Sequence, residues 1–194
     1  MKVNLKKLEG NWKEGFALDK HVLSSVYTGD NEYGRPTFDT TRSEAGEALY
    51  QLKYKRDWNQ SEILAQEILA SIIPQLNDNI GLIVPVPPST KRTKQPVNEL
   101  ANSLAKLMNI KVFNEILLKS GNTSQLKDIS DKLTKVELLK GKFSINDEIT
   151  NDGKWNALVI DDLYDTGATL ESACEALKSY KKINKIYVAT ATWK

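Results

Sequence analysis

Cysteine and histidine are almost absent from this chain of 194 residues, which holds one of each, Cys174 and His21. A single cysteine forms no internal disulfide, and one cysteine with one histidine cannot supply the ligand set of a structural zinc site. Cys174 lies in a predicted helix, where a small buried side chain is its expected role. The sequence therefore excludes a disulfide-stapled fold and a zinc ribbon.

Long apolar runs are also missing. None reaches the ~18 residues that a membrane-spanning helix needs. The first ten residues are polar and lysine-rich, unlike a secretory signal peptide. We therefore expect a cytoplasmic protein with no membrane partner.

Neither sign of charge dominates. Lysine and arginine number 27 and aspartate and glutamate 25, giving a net charge of +2, and the two signs are interspersed. Without a basic block, a nucleic-acid partner is not favoured. With 40% apolar and 27% charged residues, the composition is typical of one ordinary domain, predicted over residues 1–194.

Hydrophobic periodicity predicts strands that alternate with helices. Helical stripes occupy residues 43–55, 61–73, 96–108, 131–139 and 168–180, and strand-like apolar runs occupy 80–86, 111–113, 157–163 and 186–192. This alternation predicts an α/β fold, a parallel sheet flanked by helices. Residues 1–45 are less clear: two short strands within 11–27 and a turn at 29–36 fit a hood-like segment or extension.

The most informative segment is 157–169. An apolar run predicted to be a buried strand is followed by Asp161 and Asp162, then by a turn containing Thr166 and Gly167, then by the start of a helix. The turn and the helix N-terminus direct N–H groups at an anion, and paired carboxylates accept hydrogen bonds from sugar hydroxyls. Two acids alone would indicate a solvated strand end. With the turn, the segment predicts a sugar-phosphate site.

A second cluster follows the strand at 80–86 and contains Ser89, Lys91 and Arg92. Its two cations suit an anionic leaving group, although a solvated basic loop is the simpler alternative. Because carboxyl ends of parallel strands meet at one edge, both clusters are expected together. A third basic cluster, 53–56, is interpreted as a solvated helix end. Trp193 either stacks on a ligand base or closes the edge of the core.

Residues 158–170 resemble the phosphoribosyl-pyrophosphate (PRPP) signature of the type I phosphoribosyltransferases, with two acids after hydrophobic residues and then Thr-Gly-x-Thr. The resemblance implies that PRPP is held in three parts. The expected contacts are Asp161 and Asp162 for the ribose hydroxyls, Thr166, Gly167, Ala168 and Thr169 for the 5′-phosphate, and Ser89, Lys91 and Arg92 for the pyrophosphate. It also implies Mg²⁺ as cofactor, held through PRPP with Asp161 and Asp162 as candidate protein contacts.

Asp165 lies within the same turn. In purine phosphoribosyltransferases an aspartate at this place is proposed to handle the proton of the base, so the resemblance implies that Asp165 is catalytic, as a general base. A turn aspartate that bonds its own backbone is an equally good interpretation.

The segments 84–92 and 98–101 are similar to the ComF-like branch of this family, whereas 95–98 departs from its usual pattern and no cysteine-rich ribbon is present. The implied function is transfer of the phosphoribosyl group from PRPP to a nitrogen nucleophile, such as a purine-type base, with release of pyrophosphate. A non-catalytic PRPP- or nucleotide-binding protein, regulatory or competence-related, is the alternative. Dimers are common in the family, so a homodimer is a further expectation, but the sequence identifies neither the small-molecule acceptor nor the oligomeric state.

Overall fold

A six-stranded sheet forms the centre of the fold in a computed structural model, which describes residues 1–90, 92–121, 129 and 131–194. In spatial order the strands are β1 (Lys6–Lys7), β2 (Glu14–Lys20), β10 (Ile183–Trp193), β9 (Trp155–Tyr164), β5 (Leu82–Pro85) and β6 (Lys111–Val112). All neighbouring pairs are parallel except the edge pair β1–β2. The predicted α/β fold with a mostly parallel sheet is confirmed.

Five α-helices cover the sheet within the described residues. They are α1 (Glu44–Tyr50), α2 (Asn59–Glu67), α3 (Pro96–Met108), α4 (Lys132–Leu139) and α5 (Ala168–Lys178). A π-helical turn, Gln51–Lys55, extends α1, and the turns Ile68–Ile72 and Ile73–Gln75 extend α2. Helix α3 begins at Pro96, where the missing N–H of proline costs no intrahelical bond.

The two faces of the sheet are buried by different helices. Alternate side chains of β5 and β9 point to opposite faces, as a strand requires: Ile83 and Leu158 face the core with α1, α2 and α3, whereas Val84 and Val159 face the core with α5. The strands are thus apolar on both faces, as expected of a parallel sheet covered on both sides.

Two hairpins lie outside the central sheet. Strands β3 (Val22–Asp30) and β4 (Pro36–Arg42) form the first, and most of its side chains are exposed. Strands β7 (Leu117–Lys119) and β8 (Phe143–Ile145) form the second, which packs against α5. The sequence did not predict β7 and β8, because each is only three residues long.

The N-terminal segment is divided between the sheet and the first hairpin. Strand β2 pairs in parallel with β10, and Leu8, Ala17 and Leu18 are buried in the two cores. Residues 6–20 therefore belong to the central sheet and the hairpin 22–42 lies outside it, and a hood-like role for 1–45 stays a prediction. Across the described ranges, we find no helix with the length and apolarity required to span a bilayer.

Helix α1 is fixed against the end of β2. The Ser43 hydroxyl accepts a hydrogen bond from the N–H of Gly46 (2.9 Å) and donates one to the carbonyl of Lys20 (2.6 Å). A Cβ on Gly46 would lie 2.1 Å from the carbonyl oxygen of His21. Only glycine permits this close approach.

We predict that Gly46→Ala lowers the free energy of unfolding by about 3 kcal/mol, because the backbone of His21 must move to admit the methyl group. Urea unfolding measures the loss. Gly34→Ala is the control: it has open space at a φ of +67° and should cost only about 1 kcal/mol. Equal losses in the two variants would contradict the close packing of α1.

Candidate functional site

The carboxyl ends of β5 and β9 bring the two predicted clusters to one edge of the sheet. Pro85 of β5 lies opposite Ile160 of β9, so the loop that contains Ser89 begins beside Asp161, near the carboxyl end of β9. A cavity of about 370 Å³ opens there. Its wall contains the whole segment 161–170, together with Ser89, His21 and four lysines. The predicted convergence of the two clusters is therefore confirmed.

The acidic pair consists of one ion-paired carboxylate and one carboxyl with a raised pKa. Asp162 Oδ2 lies 2.8 Å from Lys53 Nζ. Asp161 Oδ1 accepts a hydrogen bond from the backbone N–H of Asp162 at 2.8 Å. Burial, together with the negative charge of Asp162, raises the pKa of Asp161 from 3.8 to about 7. These two carboxyl groups can accept hydrogen bonds from neighbouring hydroxyls of a ligand.

The acidic pair favours the charged form of Lys53. Burial is the largest single influence and lowers the pKa of Lys53, but the hydrogen bond and attraction to Asp162, together with the attractions of Tyr54 and Asp161, raise it overall. The sequence placed Lys53 at a solvated helix end, and that interpretation is wrong. It holds for Lys55 and Arg56, whose side chains are exposed.

The turn after β9 has the form of an anion-binding loop. Gly167 has a φ of +84° and directly precedes α5, and a Cβ there would lie 2.9 Å from the hydroxyl of Tyr164. The N–H of Ala168 points toward Thr166 Oγ1 at 3.5 Å. Thr169 lies in the first turn of α5 and lines the cavity. The positive end of an eleven-residue helix thus faces the cavity.

Asp165 is held by a lysine from a different helix. Its Oδ2 accepts a hydrogen bond from Lys135 Nζ of α4 at 2.7 Å, and the Lys135 side chain is only 8% exposed. Asp165 makes no hydrogen bond to its own turn within the described residues. The carboxylate therefore lines the cavity with a fixed orientation, which suits a group that exchanges a proton with a ligand.

Cationic side chains line the same site as the acids. Lys119 Nζ donates a hydrogen bond to Ser89 Oγ at 3.1 Å. Burial lowers the pKa of Lys119, although Asp161 attracts its proton. Arg92 lines an adjoining cavity of about 190 Å³, whose wall shares Ser89, Lys119 and Asp161 with the first. Lys91, predicted to contact pyrophosphate, lies outside the described residues.

Sequence reasoning missed four side chains of the site, and Trp193 does not line it. Lys119, Lys135 and His21 join Lys53 on the cavity wall, yet no local pattern marks them, because each is brought there by tertiary packing. The ring of Trp193 packs against the core, and Lys6 Nζ covers it at 3.9 Å. This arrangement fits the interpretation that Trp193 closes the edge of the core.

Among the residues that the structure describes, no group of three or more histidine, cysteine, aspartate or glutamate side chains is arranged to hold a metal ion. A metal bound here would depend on a ligand for part of its coordination.

Comparison with known proteins gives remote structural similarity only. No protein-family model and no curated protein matches the chain. Among solved structures, a Bacillus subtilis glutamine PRPP amidotransferase is similar with a TM-score of 0.46 and 14% identity, covering 83% of this chain and 34% of that protein. Adenine phosphoribosyltransferase from Saccharomyces cerevisiae is similar with a TM-score of 0.45 and 10% identity, and the match covers 89% of this chain and 85% of that protein.

Leishmania donovani UMP synthase gives a TM-score of 0.42 and 14% identity, covering 84% of this chain. The chain spans 28% of the length of that protein. These values mark a remote resemblance that carries no argument about function. The residues of the site supply that argument.

We predict that Asp161→Asn stabilises the protein at pH 8 in the absence of divalent cations. The Asp161 carboxyl ionises near pH 4 in the unfolded chain and near pH 7 in the folded one. Its contribution to stability is thus present below pH 4 and lost as the pH rises to about 7. Because solvent still partly reaches the carboxyl, the variant should gain about 2 kcal/mol at pH 8, and nothing at pH 4, in urea unfolding.

The control is Asp165→Asn, which strips the buried Lys135 of its partner and should destabilise the protein at pH 8. If Asp161→Asn were no more stable than the parent at pH 8, the claim that burial and the charge of Asp162 raise the pKa of Asp161 would be contradicted.

Proposed function

We propose that this protein binds PRPP together with Mg²⁺ and transfers the phosphoribosyl group to a nitrogen nucleophile, releasing pyrophosphate. One observation carries the proposal: a carboxylate pair, an anion-binding turn, Ser89 and Lys119 line one cavity, and Arg92 lines the cavity that adjoins it. A phosphorylated sugar with an anionic leaving group has hydroxyls for the acids and phosphate oxygens for the turn and the cations.

The ribose and its 5′-phosphate would occupy the acidic side. Asp161 and Asp162 accept hydrogen bonds from the two ring hydroxyls, and the turn at 165–169 receives the 5′-phosphate at the N-terminus of α5. Lys53 Nζ holds the Asp162 carboxylate in position at 2.8 Å. This binding would fix the anomeric carbon between the acidic pair and the cationic side chains.

Pyrophosphate would leave toward the cationic side. As the bond between the anomeric carbon and the pyrophosphate oxygen breaks, its electron pair goes with the pyrophosphate, and positive charge builds on the ribose ring. Lys119, Ser89 and Arg92 line one cavity and would stabilise the departing anion. We extend the same role to Lys91.

The acidic pair fits a hard divalent cation. Mg²⁺ prefers oxygen ligands, and a cation near Asp161 would relieve the burial and repulsion that raise the pKa of its carboxyl. When bound through PRPP, Mg²⁺ would neutralise charge on the pyrophosphate.

The acceptor would approach from the side of Asp165. Its nitrogen forms the new bond to the anomeric carbon, and its N–H proton passes to the Asp165 carboxylate. His21, Tyr54 and Leu163 line the rest of the cavity. Burial, together with Lys53 and Arg42, lowers the pKa of His21, so a neutral imidazole faces this space. A neutral heterocyclic base is a suitable acceptor.

A second candidate is a PRPP-binding module without turnover. It is favoured by the ion pair of Lys135 with Asp165, because this contact already occupies an oxygen of the carboxylate that would receive the proton. The module would bind PRPP with Mg²⁺ and release no pyrophosphate in the presence of any base. Assignment to the ComF-like branch stays a prediction.

We predict that Asp161→Asn combined with Asp162→Asn weakens Mg²⁺-dependent PRPP binding by about 100-fold or more, since two charged acceptors of ligand hydroxyls are lost. Isothermal titration calorimetry measures the affinity. The matched control removes two charges elsewhere, through Asp152→Asn and Glu175→Gln, both exposed. Unchanged affinity in the first variant would contradict both the enzyme and the module.

We predict that Asp165→Asn lowers kcat by about 100-fold or more while PRPP affinity stays nearly unchanged, because the proton acceptor is lost and the phosphate turn is kept. The assay is pyrophosphate release with PRPP, Mg²⁺ and a panel of purine and pyrimidine bases. Glu171→Gln is the control. Glu171 of α5 also pairs with a lysine of α4, since its carboxylate lies 2.6 Å from Lys132 Nζ. Tight PRPP binding by the unaltered protein with no base-dependent release would favour the module.

A further inference from the structure

A third, strongly basic cavity adjoins the proposed PRPP site. It encloses about 640 Å³ between the end of the π-helical turn after α1 and the loop before α3. We call it the basic groove. Its charged and aromatic lining residues are Lys53, Tyr54, Arg56, Trp58, Arg92 and Lys94, and no acidic side chain lines it among the residues that the structure describes.

Two of its four cations have no carboxylate partner. Lys53 pairs with Asp162 at 2.8 Å, and Lys94 pairs with Glu99 at 3.1 Å. Arg56 and Arg92 make no salt bridge within the described parts of the chain. A guanidinium group offers a planar fork of donors that matches phosphate oxygens. The groove therefore presents two arginines suited to an anion.

Arg56 occupies an unusual backbone conformation. Its φ of 59° and ψ of 30° lie in the left-handed region and end the π-helical turn. Glycine or asparagine usually fills such a position at a helix end, because a Cβ is disfavoured there. Non-glycine residues held in this region tend to occur at functional sites. From this backbone conformation the guanidinium-bearing side chain of Arg56 lines the groove.

Trp58 gives the groove an aromatic surface. The indole packs against the core on the side of α2, which fixes its orientation. Lys94 Nζ lies 4.5 Å from the ring centroid, over the ring, so the face of the indole is accessible to a charged group in the groove. A planar ligand ring that stacked there would displace Lys94 toward any phosphate the ligand carries.

We propose that the basic groove binds a nucleotide, with its heterocyclic ring stacked on Trp58 and its phosphates held by Arg56 and Arg92. The groove lies beside the proposed PRPP site and shares Lys53 and Arg92 with it, but nucleotide binding there does not depend on transferase activity. The interspersed charges of the sequence gave no sign of it, because its cations come from two segments about 40 residues apart, 53–56 and 92–94. Folding brings them together beside an indole.

The test is calorimetric titration with adenosine 5′-diphosphate in the absence of divalent cations. Adenosine and inorganic pyrophosphate are titrated separately, and each should bind about tenfold more weakly than the nucleotide, since each lacks one of the two contacts. Binding must persist in Asp161→Asn/Asp162→Asn, the variant that abolishes PRPP binding under the proposed function. Loss of nucleotide binding in that variant would instead place the nucleotide in the PRPP site and overturn the proposal.

Two variants test the named contacts. Arg56→Gly should weaken nucleotide binding about tenfold and yet raise the melting temperature, because glycine relieves the left-handed backbone. Trp58→Leu should weaken it by a similar factor. Lys55→Gln is the matched control: it removes a neighbouring charge that does not line the groove and should leave the affinity unchanged.

The proposal is overturned if the nucleotide does not bind at millimolar concentration, if pyrophosphate binds as tightly as the nucleotide, or if Arg56→Gly binds like the parent protein. These results leave the proposed PRPP function intact, since PRPP affinity is measured separately on the same proteins.

Discussion

The parallel pairing of β5 with β9 is the constraint on which the rest of the site depends. Two adjacent strands that run the same way end at the same edge, so the segments that follow them must meet. The acidic pair and phosphate turn follow one strand, and the serine-arginine loop follows the other. Strand β10 supports β9 from the other side and fixes its register over the whole length of the motif.

Electrostatic strain at this edge is balanced by lysines from distant parts of the chain. Asp161 and Asp162 are adjacent and partly buried, an arrangement that burial and mutual repulsion disfavour. Lys53 reaches Asp162 from the extension of α1, Lys119 faces the acids from β7, and Lys135 reaches Asp165 from α4. Each lysine is held by tertiary packing, so the fold and the charge balance of the site depend on each other.

The sequence predicted the parts of this structure that local patterns encode. The strand, acids and turn of 157–169 are found as predicted, as are the helices in the stripes that begin near Ser43 and Pro96. Hydrophobic periodicity predicts these features, because a strand or helix with a buried face has apolar residues at regular intervals in the sequence.

Contacts between distant segments could not be predicted in the same way. Lys53 pairs with an aspartate 109 residues away, and Lys135 with one 30 residues away. No sequence pattern around either lysine indicates its partner. The entry of β2 into the central sheet next to β10 is equally non-local. Short strands such as β7 and β8 carry too few residues for a period to emerge.

The most direct test of the central claim is a crystal structure of the protein with PRPP and Mg²⁺. The account predicts the ribose hydroxyls on Asp161 and Asp162, the 5′-phosphate in the turn before α5, and the pyrophosphate against Ser89 and Arg92. A PRPP molecule bound elsewhere, or one whose phosphates avoid the turn at Gly167, would contradict it.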